Sequence, residues 1–310
     1  MNEIAFAYFI EVVRLGSIRK AADAMYVSPS SISRMIARLE HDLGTELLVR
    51  HSKGIKLTDA GALLNEFAKK RDREWDRLRA QFDASRRLEV GHITIATVEG
   101  ALSGFLPSFL KSFSQRYPNL TYEIQVCSTD EVMQAVGDDR ADVGIAFQPY
   151  PRNNVRCVAE LRQPVYAIMA PDHPFASREQ VTLEELLDQP LGMPDRSFGV
   201  RRLVENALKP KHLELKLRMA TNSIEMTRQF AIYGMGIALL PAFAIEHEIS
   251  VGSLVHVPVA SRELELARLQ ICLHAEIEPT AATRQLVAAI CERIGAMDGG
   301  MVFKDRPIAG

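Results

Sequence analysis

The dipeptide Ser28-Pro29 constrains this chain more than any other feature. A serine hydroxyl satisfies an open backbone N–H at a helix head. Proline is pre-set for the first helical position and lacks the donor that would go unused there. Apolar residues then recur at helical spacing, at Ile32, Met35, Ile36, Leu39 and Leu43, until Gly44 stops the run. This predicts a helix to about Leu43 whose other face carries Ser30, Ser31, Ser33, Arg34, Arg38 and His41. Upstream, Ile4, Phe6, Ala7, Phe9, Ile10 and Val13 predict a first helix that ends at Gly16. Ser17 caps a second, from Ile18 to about Met25, where Ala21 and Ala22 let another helix come close. Three short helices with a tight second connection read as a helix-turn-helix. Leu47–Arg50 and Ile55–Leu57 flank the loop 51–54 and predict a two-stranded wing beside it.

Thr58 and Asp59 cap a long helix running to roughly Arg86, where Leu64, Phe67, Arg71, Trp75, Leu78 and Phe82 recur in steps of three or four. Dense charge surrounds this narrow stripe. Such a helix needs a partner and is read as a dimerisation helix, with a solvated connector as the alternative. Leu88–Gly91 marks a boundary, after which strands and helices alternate: strands at 92–98, 121–126 and 141–147, helices at 102–116 and 131–136. The pattern continues with strands at 165–170, 215–220, 237–240, 254–257 and 268–273, and helices at 183–187, 198–208, 224–233, 242–247 and 280–294. Repeated strand–helix units predict a parallel sheet covered on both faces. The tail 299–310 has no period and is expected to be flexible.

With 37 Lys/Arg against 39 Asp/Glu the net charge is −2, which taken whole argues against a nucleic-acid binder. Split at residue 90, the front holds 16 basic and 13 acidic residues and the remainder 21 and 26. The front is slightly basic and the larger part acidic, so the positions of the basic residues decide. No apolar run approaches the ~18 residues of a membrane span, and the first twenty residues lack the pattern of a secretory signal. Cys127, Cys157, Cys272 and Cys291 have no CxxC spacing and are read as reduced thiols in a cytoplasm. Dispersed histidines predict no metal site, and the absence of a GxSxG motif or paired carboxylates predicts no enzyme and no cofactor.

The stretch Gly16-Ser17-Ile18-Arg19-Lys20-Ala21-Ala22, Val27 to Glu40, Leu43-Gly44, Leu47 to Arg50 and Leu57 to Gly61 resembles the N-terminal domain of the LysR-type transcriptional regulators. The rest is similar in length and element order to that family's effector-binding domain. The resemblance implies an N-terminal winged helix-turn-helix, all-α with a small β wing, and a long linker helix. An α/β effector-binding domain of the type 2 periplasmic-binding-protein fold would follow. The expected boundaries are 1–58, 59–88 and 91–298, the last with subdomain I at about 91–161 and 268–298 and subdomain II at about 162–267. The implied partners are double-stranded DNA, a small-molecule effector, a second copy of the chain in a dimer or tetramer, and RNA polymerase. Many relatives carry glutamine where this chain has Pro29, so base reading must rest on its neighbours. The second residue of the family's Leu-Phe pair is Leu48 here.

On this reading the head of the third helix enters the major groove. Ser28, Ser30, Ser31 and Ser33 lie near that end, and Arg34 is the residue suited to guanine. Ser17 and the second helix head would hold a phosphate, as would Arg50, Lys53 and Lys56 on the wing. Arg38 either meets a phosphate or pairs with Asp42. Effector contacts are expected at strand ends and helix heads: Val98, Glu99, Gly100, Ala101, Ser128, Thr129, Phe147, Phe198, Thr221, Asn222, Met235 and Gly236. Ser128 and Thr129 either hold a carboxylate or simply cap their helix. Glu99 either faces the ligand, favouring an amine or guanidinium, or points outward or pairs with a local arginine. Cys127 at the cleft makes a thiol-responsive regulator the alternative within the family. A small-molecule-binding protein or an enzyme using the cleft is the alternative outside it.

Overall fold

Ala5, Phe9 and Val12 on one face of the first helix meet Ala21, Ala22, Ile32, Ile36 and Leu39, and this meeting builds the N-terminal core. The computed structural model describes residues 3–51, 54–83, 91–297 and 300–302. It separates two compact units, residues 1–79 and 80–310. In the first, α1 (Glu3–Leu15), α2 (Ile18–Ala24) and α3 (Pro29–Leu43) precede the hairpin β1 (Leu48–His51) and β2 (Gly54–Leu57), then α4 (Asp59–Asp83). Burying Ala21 and Ala22 completely is what allows the close packing of α2. Gly44 ends α3 in the left-handed conformation, φ 70°, which glycine adopts without a steric penalty. Gly61 is required for a different reason: a Cβ there would lie 2.0 Å from the Leu47 carbonyl oxygen.

The second unit carries two sheets. Its elements run β3 (Gly91–Thr97), α5 (Phe105–Arg116), β4 (Leu120–Val126), α6 (Thr129–Gly137), β5 (Val143–Phe147) and β6 (Val155–Arg162). The chain then crosses to β7 (Val165–Met169), α7 (Leu183–Leu187), β8 (Leu191–Pro194), α8 (Gly199–Leu208), β9 (Met219–Thr221), α9 (Ile224–Ile232) and β10 (Ile237–Pro241). It continues through α10 (Glu246–Ser250), β11 (Val255–Pro258) and α11 (Arg262–Glu265), then returns as β12 (Arg268–His274), α12 (Ala281–Gly295) and β13 (Gly300–Val302). The six-stranded sheet has the order β13-β6-β12-β5-β3-β4 and the five-stranded sheet β11-β7-β10-β8-β9.

Both sheets are mixed, which corrects the expectation of purely parallel ones. β3 runs parallel to β4 and β5, but the returning β12 is antiparallel to both β5 and β6. A chain that leaves one sheet, builds a second and comes back must re-enter somewhere, and here it re-enters between two existing strands. β6 and β8 are strands absent from the sequence expectation, and β9 begins four residues later than expected. Residues 300–302, in the stretch expected to be flexible, pair with 159–161. At the first crossing, buried Gln163 donates its N–H to the Ala267 carbonyl (2.7 Å) and accepts the Phe243 N–H on its side-chain oxygen (2.9 Å). One residue thus ties both crossings to the turn after β10.

Candidate nucleic-acid interface and effector cleft

The head of α3 is exposed and built of hydroxyls. The Ser28 Oγ accepts the Ser31 N–H at 3.2 Å and lies 3.0 Å from the Ser30 Oγ and 2.8 Å from the Ser31 Oγ. Pro29 at the first position removes one donor that would otherwise face outward. Arg34 and Arg38 are exposed on the same helix, and among the described residues neither forms an ion pair. Asp42, the alternative partner for Arg38, lies 3.9 Å from His41 instead. Ser17 is the cap of α2 and accepts the Lys20 N–H at 3.4 Å, while Ser33 is half-buried. Lys56 is exposed on β2, opposite Val49. Arg50 falls in β1, but its side chain, like Lys53, lies outside the described residues.

Two groups that sequence reasoning missed shape this surface. Glu40 accepts the N–H groups of Leu47 (2.8 Å) and Leu48 (3.2 Å) on one carboxylate oxygen, which fixes the wing against α3. Tyr26, in the turn before α3, is 95% exposed in a left-handed conformation, φ 55°. Its backbone N–H closes on the Asp23 carbonyl, so the turn is a hydrogen-bonded stop to α2.

Between the two sheets lies a cavity of about 20 Å³ with an almost entirely carbon wall, lined by Val98, Gly100, Thr129, Phe147, Phe198, Gly199, Val200, Ile224, Pro241, Phe243 and Ala244. Space of this size holds about one water. Five of the expected effector residues, Val98, Gly100, Thr129, Phe147 and Phe198, stand on its wall. The remaining expected residues have other tasks. Ala101 is buried, and its N–H closes the turn on the Val98 carbonyl. The Thr221 hydroxyl accepts the Ser223 N–H, and Asn222 is exposed. Met235 and Gly236 do not line the cavity. The Met235 N–H closes the end of α9 on the Phe230 carbonyl, and a Cβ on Gly236 would meet the Pro190 oxygen at 2.0 Å.

The hydroxyl and carboxylate groups at the cleft are already partnered, whereas the buried Arg202 Nη2 and Arg228 Nε have no hydrogen-bond partner among the described residues. Ser128 and Glu131 form a reciprocal cap: the Glu131 carboxylate accepts the Ser128 N–H at 2.9 Å, and the Ser128 Oγ accepts the Glu131 N–H at 3.4 Å. The Ser128 N–H and hydroxyl hold the Glu131 carboxyl below the usual carboxylate range. The Thr129 hydroxyl donates to the Phe147 carbonyl (3.3 Å) and accepts the Gly199 N–H (3.2 Å), so it spans from α6 to the head of α8. Of the two readings for Ser128 and Thr129, the geometry is that of capping. Glu99 neither points outward nor pairs with an arginine. Its carboxylate accepts the N–H groups of Ile224 (2.7 Å) and Glu225 (3.0 Å) and the Ser223 hydroxyl (3.3 Å), at the head of α9. A carboxylate satisfied by three donors does not select a cation, so the amine or guanidinium preference is withdrawn. Arg202–Asp130 (2.8 Å) and Arg228 Nη1–Ser103 Oγ (2.6 Å) close the same seam on either side.

The thiols are held protonated. Burial pushes the Cys127 thiol up to about 11 and Cys157 to about 12, and raises Cys272 and Cys291 as well. Cys157 and Cys272 are cross-strand neighbours in the six-stranded sheet.

Two family models match the chain. One, for the LysR substrate binding domain, covers residues 86–294, and the other, for the bacterial regulatory helix-turn-helix protein of the lysR family, covers residues 5–62. The chain belongs to the LysR family. Among its relatives is the HTH-type transcriptional activator CmpR of Synechocystis sp., 24% identical over 243 residues, which are 78% of this chain and 80% of that one. Full-length CbnR, solved with its target DNA, matches at TM-score 0.72 and 20% identity over 95% of this chain and 99% of that chain. A full-length OxyR variant from Pseudomonas aeruginosa matches at TM-score 0.69 and 16% identity, over 98% and 99% respectively. This LysR-family chain thus has the family's two parts: a DNA-binding helix-turn-helix and an α/β domain with a cleft. No described helix is long and apolar enough to cross a membrane.

Proposed function

We propose that this regulator reads its operator with the N-terminal turn of α3 and answers to a small molecule at the cleft between its two sheets. The exposed hydroxyl cluster of Ser28, Ser30 and Ser31, with Arg34 and Arg38 beyond it on one helix, carries the reading. Arg34 makes the base contact, its fork matching guanine O6 and N7. Arg38, Lys56, Arg50, Lys53 and the serines meet phosphates or sugar, positioning the helix without specifying sequence. Ser17 at the head of α2 holds a further phosphate.

The chain acts as a dimer through α4. Leu63 is 75% exposed on α4; Phe67, 52% exposed, meets Phe6 edge to face with its ring, and Trp75 is 54% exposed two further turns along. An exposed apolar stripe on a charged helix fits a second copy of that helix. A dimer places two recognition helices about 34 Å apart, or a multiple of it, and two dimers make the tetramer. In this reading the chain works by binding, with no catalytic step, in the cytoplasm, and contacts RNA polymerase at its promoters. CcmR of Synechocystis PCC6803 was solved with 2-PG in its regulatory domain, which supports a small molecule in the equivalent domain here.

A gel shift of the full chain against DNA upstream of its own gene, repeated at several salt concentrations, tests this. Binding should weaken steeply with salt, by counterion release. Arg34→Ala should lose sequence preference while the oligomer persists. Absent or salt-insensitive binding there and at neighbouring promoters would overturn the reading.

A further inference from the structure

Three helices, α6, α8 and α9, present their N-termini at the cleft. Such heads attract anions, because their free N–H groups and the helix dipole point the same way. In this chain each head is already occupied by the protein's own atoms. Glu131 sits on α6, the Thr129 hydroxyl takes the Gly199 N–H of α8, and Glu99 sits on α9. The first two are local or neutral arrangements. Glu99 differs, because it belongs to the turn after β3 in the six-stranded sheet and reaches a helix that packs on the five-stranded sheet.

The contact is complete. Both carboxylate oxygens of Glu99 are engaged, and the next N–H of the helix, from Met226, goes to the Ser223 Oγ at 3.1 Å. The turn bearing Glu99 packs closely on the other subdomain, since a Cβ on Gly100 would lie 2.7 Å from the Phe243 ring. Beside it lies the cavity of about 20 Å³ walled by carbon.

We propose that Glu99 is a tethered ligand: its carboxylate fills the anion position at the head of α9, holds the two subdomains together without effector, and must be displaced by any acidic effector that uses this head. The proposal rests on the cleft being the effector site. It follows that a small acid competes with a group at very high effective concentration, so simple carboxylates bind the intact chain poorly.

Glu99→Ala removes a CH₂–COO⁻ unit, which acetate can replace. Thermal melting of the full chain is followed with sodium acetate, with acetamide, and with sodium chloride at matched ionic strength. The variant should melt below the intact protein and recover by roughly 2–4 °C when acetate is about five times its dissociation constant. Acetamide should not restore it, and the intact protein should not distinguish acetate from chloride. Equal acetate responses in the two proteins, or a variant that melts like the intact chain, overturn the proposal. Should Glu99→Ala not fold, Glu99→Gln decides: its amide nitrogen would face an N–H donor, so its midpoint must fall, and an unchanged midpoint overturns the proposal. A gel shift separates this from the functional reading. Loss of acetate rescue with DNA binding intact removes only the tethered ligand. Rescue in a chain that binds no DNA leaves Glu99 in place and removes the regulator reading.

Discussion

Replacing Glu40 tests whether the wing is held by one oxygen atom. Both wing contacts, to the Leu47 and Leu48 N–H groups at 2.8 and 3.2 Å, end on the same Oε1. Leu47 is 1% exposed, so its N–H has no route to water once the acceptor is gone. Hydrogen bonds to charged groups contribute about 1.5–3 kcal/mol, and the longer of these two belongs at or below the lower end. Glu40→Ala should therefore cost about 3 kcal/mol. Glu40→Gln keeps an oxygen at the same place and loses only the charge, so its cost should be about 1 kcal/mol. For a unit of this size 1 kcal/mol is roughly 4–8 °C, which puts the alanine variant roughly 12–24 °C below the intact protein. The single tryptophan, Trp75, lies on α4 in the same unit, so urea titration followed by its fluorescence reports on this unit. Equal losses for the two variants, or an alanine variant within 1 kcal/mol of the intact chain, would refute the reasoning.

Other outcomes follow from the same geometry. Arg38→Ala should weaken all sequences alike and lower the salt slope by about 1, whereas Arg34→Ala should cost about 1–3 kcal/mol on the cognate site alone; competition gel shifts separate the two. Gly199→Ala would place a Cβ 1.9 Å from the Phe147 carbonyl oxygen, so the head of α8 must move off the end of β5 and the effector domain should melt several degrees lower in calorimetry. Leu63→Glu should leave the helix-turn-helix folded but shift sedimentation toward monomer, because that side chain is three-quarters exposed. The thiols give a pH prediction. Their folded values lie above the ordinary value near 9, so the stabilisation they confer is fully present below about pH 9 and fades as pH rises toward 11 for Cys127 and 12 for Cys157. Alkylation of the native chain at pH 8 should accordingly be much slower than of the unfolded chain, and fast labelling of Cys127 would contradict this.

Much of the first unit is legible in the sequence because its signals are local. Ser28-Pro29, Gly44 and the spacing from Ile32 to Leu39 depend only on helix geometry, and the observed α3 begins and ends where they point. The second unit is legible only in part. β6 carries the two-residue alternation of a half-buried strand, with Arg156, Glu160 and Arg162 on its less buried face, so its period is legible in the sequence although the expected strands do not include it. The antiparallel return of β12 depends on residues more than 100 positions apart, so no window of sequence contains it. The cleft residues divide the same way. Val98, Thr129 and Phe147 follow from their places at strand ends and helix heads, but Phe243 and Ile224 reach the cavity only because the chain crosses to the second sheet after β6. Glu99 stands out in the sequence by its sign, but its partner lies 125 residues away, and without that partner its preference for a cation is misread.

The seam between the subdomains also limits how an effector can act. Among the described residues four side-chain links cross it at the cleft, Glu99 to the head of α9, Thr129 to Gly199, Asp130 to Arg202 and Ser103 to Arg228, and Arg162 pairs with Glu265 where the chain passes between the sheets. Three of the four cleft links carry a charged partner, so the set contributes several kcal/mol, enough to make this arrangement the dominant one of two conformers. An effector that merely prefers this arrangement would add little, since the arrangement is already dominant without it. The ligand with leverage is one that favours the parted form, and it gains that preference by taking over donors which Glu99 now holds. Removing the Glu99 carboxylate should then mimic effector addition at the promoter, whichever direction the regulation takes. A Glu99→Ala variant whose promoter output equals that of the unliganded intact chain would show that the links across this seam do not set the resting state.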